Sequence, residues 1–513
     1  MKDKSIILKF ILLTLFATCS CSGGGNGEDS ENTAPPSISF EGETISYDWY
    51  TPVIVDINND GYLEALGTIN DGSGSLTAVP YTTLGLSSLF ADGRVNRDCR
   101  VADFNGDGYP DIVCNTYSPS EAYSTISAGC NGDYNPESKA RLFFNNGDGT
   151  FTESDAFSQL YIRGFGETIL VADFNNDGAL DIFLPYYSQC SPNEHSYLLI
   201  NDGHGVFYDV STSAGIGLKN RPVNLRVEGA QALDFNLDGW IDFYAAGHLF
   251  MNNGDLTFND VREELGLPEL FDEGIKFLDW NNDGYLDLVI HHPSTGPALY
   301  EFDGQMFNPA DVVPSYSYEE SYGMNIYDLN NDGREDIFAS GGSLHDTVIL
   351  LNNGKGFERS KPTEMDSWGN DIIAFADIDR DGRIDVIKRV LPTDNSTEGV
   401  IEGTEGGLNY YRNNSSIPEN SFFYLEVVGS NGERNQQGRV VKIIPQRDGN
   451  VTFTRVIESG SGYMAQNQYE LLVGTPYTES HSVQVFFPGS VVEFIINPGE
   501  RKRVFQDGRI ESY

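Results

Sequence analysis

Short apolar runs alternate with polar turns rich in Asn, Asp and Gly over most of the chain. Residues 53–55 and 169–171 are runs that precede one kind of turn, and residues 112–113 and 337–338 are runs that follow it. Short runs of β-branched and aromatic residues on both sides of a turn are typical of β-hairpins. The pattern therefore predicts an all-β chain built from hairpins.

One nine-residue turn recurs seven times, and we number its copies as loops one to seven. They read DINNDGYLE at 56–64, DFNGDGYPD at 103–111, DFNNDGALD at 173–181, DFNLDGWID at 234–242, DWNNDGYLD at 279–287, DLNNDGRED at 328–336 and DIDRDGRID at 377–385. Positions 1, 3 and 5 always carry side-chain oxygens, position 6 is always Gly, and position 9 is Asp except for Glu64. This layout predicts a loop wrapped around a hard cation, and its sevenfold recurrence argues against ordinary Asp/Gly turns.

Ca²⁺ suits such a loop because it takes about six to eight oxygen ligands in flexible geometry, whereas Mg²⁺ demands a near-ideal octahedron. Position 6 must turn with φ > 0, which Gly does without steric cost. We expect the side chains at positions 1, 3, 5 and 9 and the carbonyl at position 7 to bind up to seven structural Ca²⁺ ions. The expected ligands are Asp56, Asn58, Asp60, Tyr62, Glu64, Asp103, Asn105, Asp107, Tyr109, Asp111, Asp173, Asn175, Asp177, Ala179, Asp181, Asp234, Asn236, Asp238, Trp240, Asp242, Asp279, Asn281, Asp283, Tyr285, Asp287, Asp328, Asn330, Asp332, Arg334, Asp336, Asp377, Asp379, Asp381, Arg383 and Asp385.

An EF-hand opens with the same residues but needs a bidentate Glu at position 12 between two helices. Position 12 is occupied here by Gly67, Cys114, Leu184, Ala245, Ile290, Ala339 and Lys388. The EF-hand ligand is therefore missing from every copy, and the flanking runs favour strands.

The loops recur at spacings of 47, 70, 61, 45, 49 and 49 residues, which indicates a repeat architecture. Most repeats carry a second turn downstream, seen as LFFNNGDGTF at 142–151, LLINDGHGVF at 198–207, LFMNNGDLTF at 249–258, LYEFDGQMF at 299–307 and LLNNGKGF at 350–357. Apolar runs joined by Asn-Gly or Asp-Gly form tight hairpins, so each repeat has four antiparallel strands. Such repeats are typical of β-propeller blades, and we predict seven blades over residues 44–415.

These loops and their NNGxGxF partners resemble FG-GAP/VCBS repeats, the blades of integrin α-subunit heads and of many bacterial surface proteins. The resemblance implies that Ca²⁺ lies between the first two strands of each blade. Residues 420–513 lack the loop, and strands are predicted at Phe422–Val428, Val440–Pro445, 451–457 and 483–487. Their SGSGYMAQN segment resembles the ASPIC/UnbV domain, which follows FG-GAP repeats in the cartilage acidic protein family. Arg439 and the FFPGS segment depart from that pattern.

The N-terminus predicts export. Lys2 and Lys4 precede an apolar run at 6–16, followed by small residues, Cys19 and Cys21. The run is too short to span a bilayer and has the layout of a secretory signal. It resembles a bacterial lipoprotein signal over residues 1–21, with lipid on Cys21 or else on Cys19, before a flexible linker at 22–43. The acidic stretch that follows resembles the surface-export signal of Bacteroidetes lipoproteins and implies an outer-membrane or cell-surface location. The alternative is a plainly secreted protein.

Composition excludes some partners. The chain has 76 Asp and Glu against 32 Lys and Arg, which disfavours nucleic acid, and we expect membrane contact only through the lipid anchor. An oxidising compartment permits disulfides. Cys99 and Cys114 flank loop two on its two strands and are a candidate pair, and Cys130 and Cys190 are a second one. Free or differently paired thiols are the alternative for both pairs.

The function predicted is that of a binding or adhesion module for a glycan or a surface protein. Long inserts at 117–139 and 186–196, with Tyr186 and Tyr187, fall on the face opposite the calcium loops. That face is also expected to carry His195, His248, His291, His292 and His345. Inserted loops on a rigid scaffold commonly bind ligands, although the same residues could be solvated and too far apart to cooperate.

Two other functions stay open from the sequence. A glycan-active lyase or hydrolase could use the same face, but no GxSxG, HExxH or P-loop motif is present, so an enzyme is the less favoured hypothesis. The C-terminal domain could instead scaffold another surface protein.

Overall fold

The computed structural model describes residues 39–46, 53–59, 61–68, 76–80, 95–117, 140–148, 150–157, 160, 168–185, 196–216, 229–268, 274–292, 296–314, 324–339, 348–360, 372–390, 407–418, 421–447, 451–458 and 465–513. Every regular element in these residues is a β-strand. Within them, no helix is long and apolar enough to cross a membrane. Cys19, Cys21, Cys130, Cys190, His195, His345 and the two long inserts lie outside the described residues, apart from a few residues at the ends of the inserts.

Repeated antiparallel sheets make up the described chain as far as Asn413, and all but the last join their strands in sequence order. The strands are β1 (Phe40–Ser46); β2 (Val53–Val55), β3 (Glu64–Thr68) and β4 (Leu76–Pro80); β5 (Val95–Ala102), β6 (Asp111–Tyr117), β7 (Ala140–Asn145) and β8 (Phe151–Glu153); β9 (Leu170–Ala172), β10 (Asp181–Leu184), β11 (Tyr197–Asn201) and β12 (Phe207–Asp209); β13 (Ala230–Leu233), β14 (Asp242–Ala245), β15 (His248–Asn252) and β16 (Phe258–Asp260); β17 (Gly274–Leu278), β18 (Asp287–His292), β19 (Gly296–Phe302) and β20 (Phe307–Ala310); β21 (Met324–Tyr327), β22 (Asp336–Ala339), β23 (Val348–Asn352) and β24 (Phe357–Ser360); and β25 (Ile373–Ala376), β26 (Asp385–Val390) and β27 (Gly407–Asn413). The predicted fold of repeated four-stranded antiparallel sheets is confirmed.

The first strand of each sheet lies beside the first strand of a neighbouring sheet, and β2 lies beside both β5 and β25. Between β21 and β25 the Asn325 side chain donates a hydrogen bond to the Ile373 carbonyl at 3.1 Å. The N-terminal strand β1 completes the last sheet by pairing antiparallel with β27. The β-propeller is therefore closed by its N-terminal strand, which the sequence left open. Because β1 begins at Phe40, the predicted start at residue 44 lies inside this strand.

Aromatic and aliphatic side chains fill the spaces between neighbouring sheets. Phe183 of β10 and Phe243 of β14, for example, have ring centroids 4.7 Å apart, although they belong to different sheets. Cys99 lies on the strand before loop two and Cys114 on the strand after it. The two residues pair directly and form the predicted disulfide, with Cα atoms 4.1 Å apart. The core is thus shared between sheets, as the repeat pattern requires.

The C-terminal residues form two further four-stranded sheets around a separate apolar core. One sheet has the order β31-β28-β34-β35 and the other β30-β29-β32-β33. Their strands are β28 (Phe422–Val428), β29 (Val440–Pro445), β30 (Phe453–Val456), β31 (Leu471–Gly474), β32 (His481–Phe487), β33 (Ser490–Ile496), β34 (Arg501–Phe505) and β35 (Ile510–Ser512). The pair β28 and β34 is parallel.

Candidate metal site

Each nine-residue loop joins the first two strands of its sheet, as predicted. The position-6 glycines all have positive φ: Gly61, Gly108, Gly178, Gly239, Gly284, Gly333 and Gly382. Position 4 is left-handed as well, at Asn59, Gly106, Asn176, Leu237, Asn282, Asn331 and Arg380. Asn and Gly tolerate this conformation better than other residues, so their frequency at position 4 was an available but unused sequence signal.

Backbone amides orient the carboxylates at positions 1 and 5. In loop two, the two oxygens of Asp103 accept hydrogen bonds from the amides of Gly106 and Gly108, both at 2.8 Å. Asp107 accepts one from the amide of Tyr109 at 2.9 Å. Equivalent bonds form in the other described loops, for example from Gly178 to Asp173 at 2.9 Å. The loop fold therefore fixes the orientation of both carboxylates before any ion binds.

The carboxylate at position 9 connects the two hairpins of a repeat. In loop two, Asp111 Oδ2 accepts from the amide of Phe104 at 2.9 Å, and Oδ1 accepts from the amide of Asn145 in the second hairpin at 2.9 Å. Asp242 does the same with Phe235 at 3.0 Å and Asn252 at 2.8 Å. These carboxylates are fully buried. Position 9 thus has a structural role besides its expected role as a ligand, and the nine-residue pattern does not indicate this second role.

Side chains at position 4 link neighbouring loops. Where position 4 is Asn or Arg, its side chain donates a hydrogen bond to the position-6 carbonyl of the next loop: Asn59 to Gly108 at 2.7 Å, Asn176 to Gly239 at 3.2 Å, Asn282 to Gly333 at 3.2 Å, Asn331 to Gly382 at 2.7 Å and Arg380 to Gly61 at 2.7 Å. The last link joins loop seven to loop one. Gly106 has no side chain, and there Asn435 of the C-terminal domain donates to Gly178 instead, at 2.6 Å. Five neighbouring pairs of loops are therefore linked directly, including loops seven and one, whereas Leu237 of loop four has no polar side chain for such a link.

The chemistry of the donor set fits Ca²⁺. In loop seven, carboxylate oxygens of Asp377, Asp379 and Asp385 lie within 4.8 Å of one another. Asp379 Oδ1 is buried and has no hydrogen-bond partner among the described residues. Hard oxygen donors at this spacing are the ligands that Ca²⁺ prefers, and these residues would hold it.

Burial and mutual repulsion raise the pKa values of the carboxyls at positions 1 and 9 of loops two to seven. Burial raises the pKa of Asp111 to about 7, and the charges of Asp103 and Asp107 add to the rise. Burial raises the pKa of Asp287 to about 8, helped by Asp279 and Asp283. A divalent cation would offset this repulsion directly, because opposite charge favours the ionised form.

The C-terminal domain packs on the loops. A Cβ on Gly239 would lie 2.4 Å from the Pro488 nitrogen, and one on Gly382 would lie 2.0 Å from the Phe422 ring. The fully buried Arg439 donates to the Gly239 carbonyl and, at 2.5 Å, to Asn176 Oδ1.

Equivalent contacts continue around the ring. Arg455 donates to the Gly333 carbonyl at 3.1 Å, and the Thr454 amide donates to Asp279 at 3.0 Å. Tyr424 donates its hydroxyl proton to Asp377. Sequence reasoning missed these residues because their partners lie far away in the chain, although the departure at Arg439 was a visible signal.

The expected ligands of loops two to seven lie on loops that the structure describes in full, whereas Asp60 of loop one lies outside the described residues. Among the described residues, three carboxylates close enough to share an ion are found in loop seven, and the ligand role of the other residues stays a prediction. Of the five histidines expected on the face opposite the loops, His248 and His291 have side chains that the structure describes. His248 begins β15, shares a hydrogen bond with Asp260 and stacks on Phe250, with ring centroids 5.9 Å apart. His291 is fully buried on β18. The histidine-lined ligand site thus stays a prediction.

The family model for FG-GAP-like repeats matches residues 126–184, 234–290, 279–339 and 328–387. Cartilage acidic protein 1 of Xenopus tropicalis is 24% identical over 469 residues, covering 87% of this chain and 62% of that protein. The Homo sapiens protein of that name is 25% identical over 279 residues, covering 50% and 40%. The chain thus spans less than two thirds of the length of these curated relatives.

A solved structure is also similar in fold. It is a lectin of Agrocybe aegerita, described by its recognition of non-reducing terminal N-acetylglucosamine. It aligns with a TM-score of 0.42 and 18% identity, covering 71% of this chain and 90% of that chain.

Proposed function

Because this chain is an FG-GAP-repeat β-propeller protein, we propose that it is a calcium-binding module that holds a glycan or a protein ligand on the face opposite the calcium loops. The packing of the C-terminal domain on the loop ring carries this proposal. Pro488 and Phe422 lie so close to Gly239 and Gly382 that a methyl group would not fit between them. Ions in those loops would therefore be structural, and an external ligand would bind at the other ends of the strands.

Calcium stoichiometry tests the first half of the proposal. Metal analysis and calorimetry on the mature chain should find several and up to seven Ca²⁺ ions, with a higher melting temperature in Ca²⁺ than in chelator. The physical reason is that each ion neutralises carboxylates that repel one another. A chain that binds no Ca²⁺ and melts at one temperature in both buffers would contradict it.

Ligand binding tests the second half. The labelled chain, applied in Ca²⁺ to arrays of glycans and of surface proteins, should bind a defined subset. His248→Ala alters the opposite face and should weaken that binding, whereas Tyr62→Ala alters an exposed side chain of loop one and should not. The reverse outcome would move the ligand site to the loop face.

We also propose that the chain is lipid-anchored at the outer membrane or cell surface through Cys21. The arrangement of charged, apolar and small residues before Cys21 supports this. Metabolic labelling with a fatty acid should be lost in Cys21→Ala and kept in the matched variant Cys19→Ala. Loss in the second variant alone would assign the lipid to Cys19.

A further inference from the structure

The seven loops differ in the cationic side chains that surround their carboxylates. This difference is invisible in the nine-residue motif, because most of these cations come from other parts of the chain. Calcium affinity in such loops depends on the net charge of the ligands and on rigidity. Loops with different numbers of neighbouring arginines and lysines should therefore differ in their affinity for Ca²⁺.

Loops three and four share Arg439. Its guanidinium lies between them, bonded to Asn176 of one loop and to the Gly239 carbonyl of the other. Its charge acts on Asp173 and Asp234, the position-1 carboxylates of the two loops. One buried positive charge thus already neutralises part of both sites.

Loops six and seven carry their own arginines at position 7. Arg334 Nη2 lies 2.6 Å from Asp332 Oδ2, and Arg383 Nη2 lies 2.6 Å from Asp381 Oδ2. Arg412 of β27 adds a second guanidinium at loop seven, where it contacts Asp379 and Asp381. Each of these arginines occupies a carboxylate that an ion would need.

Loops one and five also have cationic neighbours. In loop five, Lys442 Nζ lies 5.7 Å from the centroid of the Tyr285 ring at position 7, close to Asp279 and Asp283 on which its charge acts. In loop one, Arg380 donates to the Gly61 carbonyl at 2.7 Å, and the charge of Arg434 acts on Asp56.

Loop two is different. Among the described residues, no arginine or lysine forms an ion pair or hydrogen bond with Asp103, Asp107 or Asp111. Asp107 and Gly108 are exposed, and a Cβ placed on Gly108 would have nothing within 4 Å. Loop two is therefore open to solvent at position 5 and, within the described part of the chain, has no arginine or lysine bound to its carboxylates.

We propose that loop two is the calcium site of highest affinity, and that Arg439, Arg334 and Arg383 are built-in counter-cations that weaken Ca²⁺ binding in loops three, four, six and seven. This inference rests on the calcium binding proposed above. Its physical basis is the repulsion between a guanidinium and a divalent cation that share the same carboxylates.

Terbium luminescence and calcium calorimetry test the order of filling. Tb³⁺ replaces Ca²⁺ in oxygen sites, and Tyr109 at position 7 of loop two would sensitise its emission. Asp107→Asn should abolish the tightest binding step, whereas the matched change Asp283→Asn in loop five should leave it intact. Tyr109→Phe should remove the emission that appears at the lowest Tb³⁺ concentration. A tightest step that survives Asp107→Asn would overturn the inference.

The arginines are tested separately. Arg334→Tyr gives loop six the residue that loops one, two and five have at position 7, and it should tighten one weak site by about tenfold. Arg439→Gln should tighten two sites, and the charge-keeping variant Arg439→Lys should not. Should Arg439→Gln fail to fold, the Arg334→Tyr result decides. If the wild-type chain binds no calcium, the proposed function itself is contradicted. If it binds calcium but both arginine variants keep the wild-type affinities, only this inference is contradicted.

Discussion

At the residue scale, two positions of the loop have roles beyond holding an ion. The position-6 glycine supplies a left-handed turn in every loop, and in loops four and seven it also gives room for the C-terminal domain. The position-9 carboxylate joins the two hairpins of a repeat. The first role requires a small residue at position 6, and the second requires a hydrogen-bond acceptor at position 9, whether or not an ion is bound.

The contact at Gly239 can be separated from the strain of the turn. Gly239→Ala would place a methyl group against the Phe487 and Pro488 backbone, while Gly108→Ala has a similar φ, +90 against +87, and open space. Both changes carry the cost of a left-handed alanine, about 1 kcal/mol. We expect Gly239→Ala to lower the unfolding free energy by roughly 2 kcal/mol more, since forced overpacking costs that much. Denaturant titration of both variants measures the difference, and equal losses would contradict the packing described.

The position-9 role predicts a loss that does not depend on calcium. In Asp242→Asn, an amide nitrogen replaces one of the two oxygens that accept backbone hydrogen bonds, which should cost about 1–3 kcal/mol in chelator. Asp238→Asn changes the exposed position 5 of the same loop and should cost within about 0.5 kcal/mol in chelator. Chemical unfolding of the Asp242→Asn and Asp238→Asn variants in chelator measures the two losses of unfolding free energy. Indistinguishable variants would mean that the hydrogen bonds of Asp242 contribute little.

At the element scale, local pattern predicted strands well and distant pairing poorly. The predicted strands Phe422–Val428 and Val440–Pro445 have those bounds in the structure. The parallel pairing of β28 with β34 could not be predicted, because pairing of distant strands leaves no period in the sequence. The docking of Arg439 on Gly239 is equally non-local, since 200 residues separate the two. Residues that contact their own repeat were therefore predictable, and residues that join repeats or domains were not.

The disulfide joins the two strands on either side of loop two. Its sequence separation is 15 residues, and closing a loop of that length stabilises a chain by about 3 kcal/mol in the entropic account. The double variant Cys99→Ala with Cys114→Ala should lower the unfolding free energy by about 2–4 kcal/mol. Both cysteines are buried, so brief treatment of the folded chain with a reductant should leave the bond intact. Rapid labelling of two thiols in the native chain would contradict this.

At the scale of the whole molecule, the formal net charge of −44 is partly organised by the ring of loops. The C-terminal domain brings Arg434, Arg439 and Arg455 to that ring, so it complements the acidic face that it covers. Sequence composition indicated the acidity but not the positive charges that balance it, because the arginines are scattered along the C-terminal residues. Stability and pH are therefore linked through the loops.

The linkage has a definite sign. Eight loop carboxyls have pKa values raised by burial to between about 6 and about 8, namely Asp111, Asp173, Asp234, Asp279, Asp287, Asp328, Asp377 and Asp385. A raised pKa means that the folded chain binds more protons than the unfolded chain, so stability in chelator should fall as pH rises from about 4 to about 8. His481 opposes this, since burial lowers its pKa to about 4, but it is one group against eight.

Calcium should reverse the trend, because Ca²⁺ needs the ionised carboxylates and replaces the protons that stabilise them at low pH. The melting temperature should therefore fall between pH 5 and pH 8 in chelator and rise over the same range in excess Ca²⁺. Calorimetric scans across this range in both buffers measure the two slopes. Parallel slopes would mean that the ring carboxylates neither bind calcium nor control stability, and a rise in chelator would mean that their protonation in the folded chain is not what the burial of these groups requires.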